Sequence, residues 1–140
     1  MNLSWREASD ADIDLLAEWN HQLIRDEGHG NSMRVEELAA RMKKWLGHEY
    51  RAVIFEAEVP VAYALFKMEE QSIYLRQLFV RRDRRSRGVG RAAFEILREQ
   101  VWPRELRLTV EVLCGNPRAI AFYKSVGYRE YCLTMEIPSR

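Results

Sequence analysis

Between residues 72 and 113 the chain passes through three patterns whose order leaves few choices of topology. Ser72 to Val80, SIYLRQLFV, has the composition and length of a strand. An arginine-rich loop follows, then a helical pattern from about Gly88 to Val101 and a break at Pro103. Leu106 to Leu113 is strand-like again, with Leu106, Leu108, Val110 and Val112 on one face. A helix between two strands is the crossover that parallel neighbours need. At 140 residues and 47% hydrophobic composition, the chain can fill one core, and a single domain over 1–140 is expected. No repeat, low-complexity tract or Gly/Ser/Pro-rich linker interrupts it.

The flanking segments complete the order. Residues 3–7 read as a short strand, and Ser9 with Asp12 as a capping box opening a helix that runs to about Asp26. Asp26 to Ser32, DEGHGNS, is a turn, and Val35 to Leu46 a second helix with Gly47 at a left-handed cap position. Tyr50 to Glu56, Val61 to Met68 and Ser72 to Val80 are three strands whose short links, AEVP and EEQ, make them antiparallel neighbours. Asn116 and Pro117 start a last helix that Gly127 closes, and Tyr128 to Ile137 reads as a final strand. The expected class is α/β (mixed α+β), in the order β-α-α-β-β-β-α-β-α-β.

No apolar run reaches the roughly 18 residues that span a bilayer. The start, MNLSWREASDAD, lacks the apolar stretch of a secretory signal, so the cytoplasm is the expected location. Cys114 and Cys132 lack metal-site spacing and are too few for a disulfide framework; both read as buried apolar residues, and no metal is expected.

The formal net charge of +1 hides a local imbalance. Residues 81–91, RRDRRSRGVGR, hold six arginines and one aspartate, a charge of +5 that leaves −4 elsewhere. The run follows a strand and ends in Arg85-x-x-Gly88-x-Gly90 at a helix start. Unpaired N–H groups and the positive end of a helix dipole gather there, and glycine lets a ligand approach the main chain, which suits a pyrophosphate. The Lys-Ser/Thr pair of a Walker loop and the first glycine of a dinucleotide loop are both absent. Nucleic acid is not expected, because no aromatic is interleaved with these arginines.

In Asn116 to Gly127, NPRAIAFYKSVG, the residues Ala119, Phe122, Tyr123 and Val126 share a helical face. Phe122 can anchor the helix to the sheet while Tyr123 directs a phenol toward the strand ends, where it can protonate a leaving thiolate. With LRQLFV, R-x-x-G-x-G and NPRAIAFYKSVGY in this order and spacing, the chain resembles the GNAT superfamily of acyl-CoA-dependent N-acetyltransferases. The resemblance implies a mixed six- to seven-stranded sheet with about four helices, and acetyl-CoA as acetyl donor.

Carried over by position, the amides of Arg85, Ser86, Arg87, Gly88, Val89 and Gly90 would hold the pyrophosphate, with Arg82, Arg85 and Arg87 adding charge. The backbone of Leu78, Phe79 and Val80 would pair with the pantetheine arm, and the Leu78 N–H would polarise the thioester carbonyl. Asn116 would serve the cofactor arm as well as its helix, and Tyr123 would be the general acid. The base or acceptor contact is open among Glu27, His29 and Glu111. The acidic pair of some polyamine acetyltransferases is absent, with Arg76 and Gln77 in its place. The acceptor that the resemblance implies is an amine of a small molecule or a protein, and no membrane partner is expected. Where many relatives end in a hairpin, only GYREYCLTMEIPSR follows the last helix, which leaves one acceptor wall short, open or completed by another subunit. Tyr131, Leu133, Met135 and Ile137 alternate as a strand with an apolar face, and a homodimer is expected from that edge. The alternative within the same fold is a module that binds acyl-CoA without turnover.

Overall fold

Alternation of apolar side chains along three successive strands gives the sheet two apolar faces, and the helices fall where those faces need cover. The computed structural model describes residues 2–28 and 30–140. Its elements are β1 (Ser4–Glu7), α1 (Ile13–Asp26), α2 (Val35–Leu46), β2 (Tyr50–Ala57), β3 (Val59–Met68), β4 (Ser72–Val80), α3 (Val89–Ile96), β5 (Arg107–Val110) and α4 (Pro117–Ser125). The five strands lie in chain order, antiparallel from β1 to β4, with β5 parallel to β4. The mixed α/β class is as the sequence implies.

Val61 to Phe66 on the central strand are fully buried, because both faces are covered. On one face Val53, Phe55, Ala64, Phe66, Ile73 and Leu75 pack with Val89, Ala93, Phe94 and Leu97 of the α3 segment. On the other, Ile54, Tyr63, Leu65 and Phe79 pack with Ile13, Leu16, Trp19 and Met42 of α1 and α2. Arg6 on β1 reaches both Asp12 carboxylate oxygens at 2.9 Å, and Asp12 also accepts from the Ser9 N–H at 2.8 Å. The Arg6 hydrogen bonds lower the Asp12 pKa despite burial. The expected capping box is thus present, with a β1 contact added.

Several boundaries differ from expectation. The helix after the arginine loop is regular only to Ile96 and continues as a π-type turn over Leu97–Val101, closed by the Trp102 N–H on Leu97 O at 2.8 Å. The fifth strand is confined to Arg107–Val110. Gly47 caps α2 at φ −82°, so no left-handed residue is used there. Residues 128–140 form no strand, and the sheet has five strands among the described residues rather than six or seven. Tyr131, Leu133, Met135 and Ile137 still alternate, but exposed. Cys114 and Cys132 are exposed as well, because the segments carrying them do not reach either core. No described helix is long and apolar enough to cross a membrane.

Trp102 fixes the far end of the crossover. Its ring meets Phe66 of β3 and Phe94 of α3 edge-on, with centroids 5.5 and 5.8 Å away. Trp102→Ala should cost about 3–5 kcal/mol in chemical denaturation. Trp102→Phe should cost clearly less, because the indole N–H has no hydrogen-bond partner to lose.

Candidate functional site: the open edge of the fourth strand

β4 changes phase at Arg76. Leu65 faces Gln77 and Phe66 faces Leu75, so Arg76 is an extra residue on its strand. Before this bulge Ile73 and Leu75 face the α3 core; beyond it Leu78 and Val80 do, while Gln77 and Phe79 turn to the α1 side. A bulge bends its strand, and the parallel pairing with β5 stops at Leu75 opposite Val110. From Arg76 to Val80 the second edge of β4 is therefore open.

The hydrogen-bond register determines what that edge presents. The Arg81 N–H donates to Val61 O at 2.8 Å, so by antiparallel alternation Phe79 bonds to β3 while Leu78 and Val80 point their N–H and C=O groups away from it. Val80 O already accepts from Arg85 Nε at 2.8 Å. Two outward N–H groups two residues apart are what an added extended chain can bond to.

The start of α3 lies beside this edge. A Cβ on Gly90 would stand 3.8 Å from Val80 Cγ2 and only 3.2 Å from the Phe122 ring, so this glycine admits α4 against α3. Its lack of a side chain is used by helix packing. Gly88 is the N-cap at φ +81°, with no side chain satisfying the first turn, and Ser86 is also left-handed at φ +62°. The first amide of this turn bonded within the helix is that of Ala92, to Gly88 O at 3.0 Å. Alternating left-handed residues and an uncapped helix start gather N–H groups into an anion-binding concavity.

The arginines divide their tasks. Arg82 and Arg85 both reach Asp26, at the end of α1, at 2.9 and 2.7 Å. Burial pushes the Asp26 carboxyl up, but the hydrogen bonds and charges of Arg85 and Arg82 outweigh it and hold the pKa below its ordinary value. The Arg85 guanidinium also lies 5.2 Å from the Phe79 ring centroid. Arg81 pairs with Asp83, Arg91 donates to Ser125 O, and Arg84 faces a cleft with Asn2, Ser4 and Glu56. Arg87 is exposed next to Gly88.

Tyr123 on α4 packs into the α3-side cluster that holds Leu78 and Val80, with Phe122 and Tyr128 edge-on to its ring. Burial, then the influence of Tyr128 and Glu27, raises its pKa, so the phenol stays protonated near neutrality. Burial first, and Glu27 again, raises that of Tyr63. The Glu27 charge thus acts on both phenols. Tyr63 itself donates to Gln77 Oε1 at 2.7 Å. Asn116 caps α4 by accepting from the Ala119 N–H at 3.3 Å.

Glu111 lies elsewhere, accepting from the Tyr74 O–H at 2.7 Å in a cleft with Tyr50, Lys67, Glu69 and Arg76. His29 lies outside the described residues. Asp26, Tyr63 and Gln77 escaped sequence reasoning. Only the polar Gln77 inside an apolar strand gave a local signal.

The match to a family model now has a structure to rest on: the model of the acetyltransferase (GNAT) family covers residues 14–128, from α1 through α4. The chain belongs to this family. No curated protein matches it in sequence. A mutant of the BH1408 protein from Bacillus halodurans superposes with a TM-score of 0.81 at 25% identity, over 98% of this chain and 99% of that one. Two more distant structures share the fold. A predicted acetyltransferase of Clostridium acetobutylicum, solved with acetyl-CoA, gives a TM-score of 0.75 at 16% identity, over 98% of this chain and 96% of that one. The aminoglycoside acetyltransferase AAC(6')-Iy, solved with a bisubstrate analogue, gives 0.76 at 15%, over 100% and 99%.

Asp26→Asn removes the anion that gathers Arg82 and Arg85. It should weaken coenzyme A binding by about threefold to tenfold in calorimetry, the range expected for a partly exposed pair that positions a loop. The α1 and α2 packing should be kept, with unchanged helical circular dichroism.

Proposed function

We propose that this GNAT-family protein, as a single domain, transfers the acetyl group of acetyl-CoA to a primary amine. The observation carrying this reading is the convergence of the open β4 edge, the uncapped α3 start and the protonated Tyr123 phenol. The residues present fit coenzyme A. The amides of Ser86 to Gly90, with the Arg87 charge beside them, would hold the pyrophosphate, while Arg82 and Arg85 keep the loop in place through Asp26. The Leu78 and Val80 amides would bond to the pantetheine arm, alongside Phe79 and Asn116. The Leu78 N–H is the donor assigned to the thioester carbonyl oxygen as negative charge develops there.

In the chemical step the amine nitrogen forms a bond to the acetyl carbon and the carbon–sulfur bond breaks. Tyr123 O–H gives its proton to the departing thiolate and recovers one from solvent. The amine surrenders its proton to the Glu27 carboxylate, directly or through water. Glu27 is preferred to Glu111 because its charge acts on the Tyr123 phenol, whereas Glu111 lies in a separate cleft on the Tyr74 side of the bulge. Holding the reactants at one strand edge makes the step effectively unimolecular.

Tyr123→Phe should lower acetyl transfer by about 100-fold or more, the usual range for a positioned acid. Acetyl-CoA affinity should stay within about twofold. An amine panel followed by release of the coenzyme A thiol measures the first, and calorimetry the second. Unchanged turnover would remove Tyr123 from the mechanism. Tight binding with no transfer to any amine would favour an acyl-CoA-binding module.

The exposed tail supports a homodimer. Leu133 and Met135 are 75 and 84% exposed on an alternating segment, and β5 ends the sheet with a short unpaired edge. Light scattering should give a dimer mass for the full chain and a monomer mass for the Leu133→Glu, Met135→Glu double variant.

A further inference from the structure

Arg41 on α2 and Arg76 at the bulge of β4 both contact the ring of Trp45. Their guanidinium carbons lie 4.3 and 4.5 Å from the centroid of the Trp45 ring. Each is held by a neutral group: Arg41 Nη2 donates to Asn20 Oδ1 at 3.1 Å, and Arg76 Nη1 to the Tyr50 hydroxyl at 3.2 Å. Asn20 is fully buried, which fixes the Arg41 end of the pair. Arg6, Arg34, Arg51, Arg81, Arg82 and Arg85 all form ion pairs, whereas among the described residues neither Arg41 nor Arg76 does. Arg41 Nε is buried with no hydrogen-bond partner. Burial, and next the charge of Arg76, lowers the Arg41 pKa. Two cations brought together without an anion, one of them half-buried, cost free energy that a bound anion would offset.

The position of this pair relative to the reacting end gives it a use. Asn20 on α1 and Glu27, the C-cap of that helix, are seven residues apart and so stand on the same side of it, two turns from each other. The Tyr63 phenol on β3 responds to Glu27 and to Arg41 in opposite senses, so both charges act on one buried group. Arg76 and Tyr50 also open onto a cleft of about 310 Å³ with Lys67, Tyr74, Glu69 and Glu111. Its two carboxylates stand beyond ion-pair distance of Arg76.

We propose that the acceptor is a carboxylate-bearing amine, an α-amino acid or a short relative of one, whose carboxylate docks on Arg41 and Arg76. The inference rests on the acetyl-transfer reading and deepens it by naming the substrate class. Guanidinium forks match the two oxygens of a carboxylate, and cation–π contact with the Trp45 ring helps to hold both arginines in place. An amine without the carboxylate would leave the same two cations uncompensated, so it is disfavoured as well as less strongly attracted.

The test compares α-amino acids, their carboxamides and the corresponding amines lacking the carboxyl group. Two readouts are used: coenzyme A thiol release, and ligand-induced quenching of tryptophan fluorescence, with Trp45→Phe identifying the Trp45 part of the signal. Amino acids should exceed their carboxamides in kcat/KM and in affinity by about tenfold or more, as a charged hydrogen-bonded pair implies. Arg76→Gln should erase that preference, and Arg76→Glu should reverse it. Acetyl-CoA affinity should be unchanged in both. Arg41→Gln should act in the same direction, and Arg76, being exposed, keeps the test valid if that variant does not fold. Equal use or equal binding of acids and amides, or binding of neither, overturns the proposal. Carboxylate binding at this pair with no affinity for acetyl-CoA would instead overturn the acetyl-transfer reading and leave the anion site standing.

Discussion

Arg76 has no partner across the β3–β4 ladder, and that single extra residue separates the two halves of β4. The half before it is paired on both edges and closes the sheet against β5. The half after it is paired on one edge only, with its alternation reversed so that Leu78 and Val80 stay toward the α3 core. A strand in full register would have continued its pairing with β5 and left no unpaired amides in the interior of the fold. The bulge also puts the Arg76 side chain next to Trp45, so the residue that opens the edge also packs against α2.

The rest of the site is assembled around that edge by contacts distant in sequence. Gly90 lets Phe122 approach within van der Waals distance, which brings α4 and its Tyr123 to the start of α3. Asp26 draws Arg82 and Arg85 back onto α1, and Arg85 in turn caps the Val80 carbonyl at the end of β4. One carboxylate thus links the last turn of α1, the loop and the strand end. The α3 start is left with its amides uncapped and its Gly88 in a conformation that other residues adopt at a cost of about 1–2 kcal/mol.

Much of this was legible in the sequence because it depends on local pattern. Strand periodicity gave β2 to β4, the glycines gave the loop before α3, and Asn116-Pro117 gave the start of α4. Even the bulge left a trace, since two consecutive polar residues, Arg76 and Gln77, interrupt an otherwise alternating strand. What could not be read depends on partners. Asp26 lies 56 and 59 residues from its arginines, and no local spacing announces such a pair. Tyr131 to Ile137 alternate as a strand would, yet alternation specifies a face and not a neighbour to pair with. The exposure of Cys114 and Cys132 follows from the same limit: residue type favoured burial, but their segments pack on neither core. Gly47 looked like a left-handed cap, although α2 ends in a conformation open to other residues.

The arrangement of the arginine loop bears on how association would respond to salt. A loop of charge +5 standing free in solvent would draw polyanions from a distance, and its affinity would fall steeply as ionic strength rose. Here Arg81, Arg82 and Arg85 are balanced by Asp83 and Asp26, and Arg91 is engaged by a carbonyl. With Asp26 included, six arginines face two aspartates, so a diffusing ligand still meets a net charge of +4, one less than the loop alone carries. The ion pairs thus fix where the arginines stand more than they remove charge, so encounter with a polyphosphate should still slow as ionic strength rises, while the final fit is set by amide geometry.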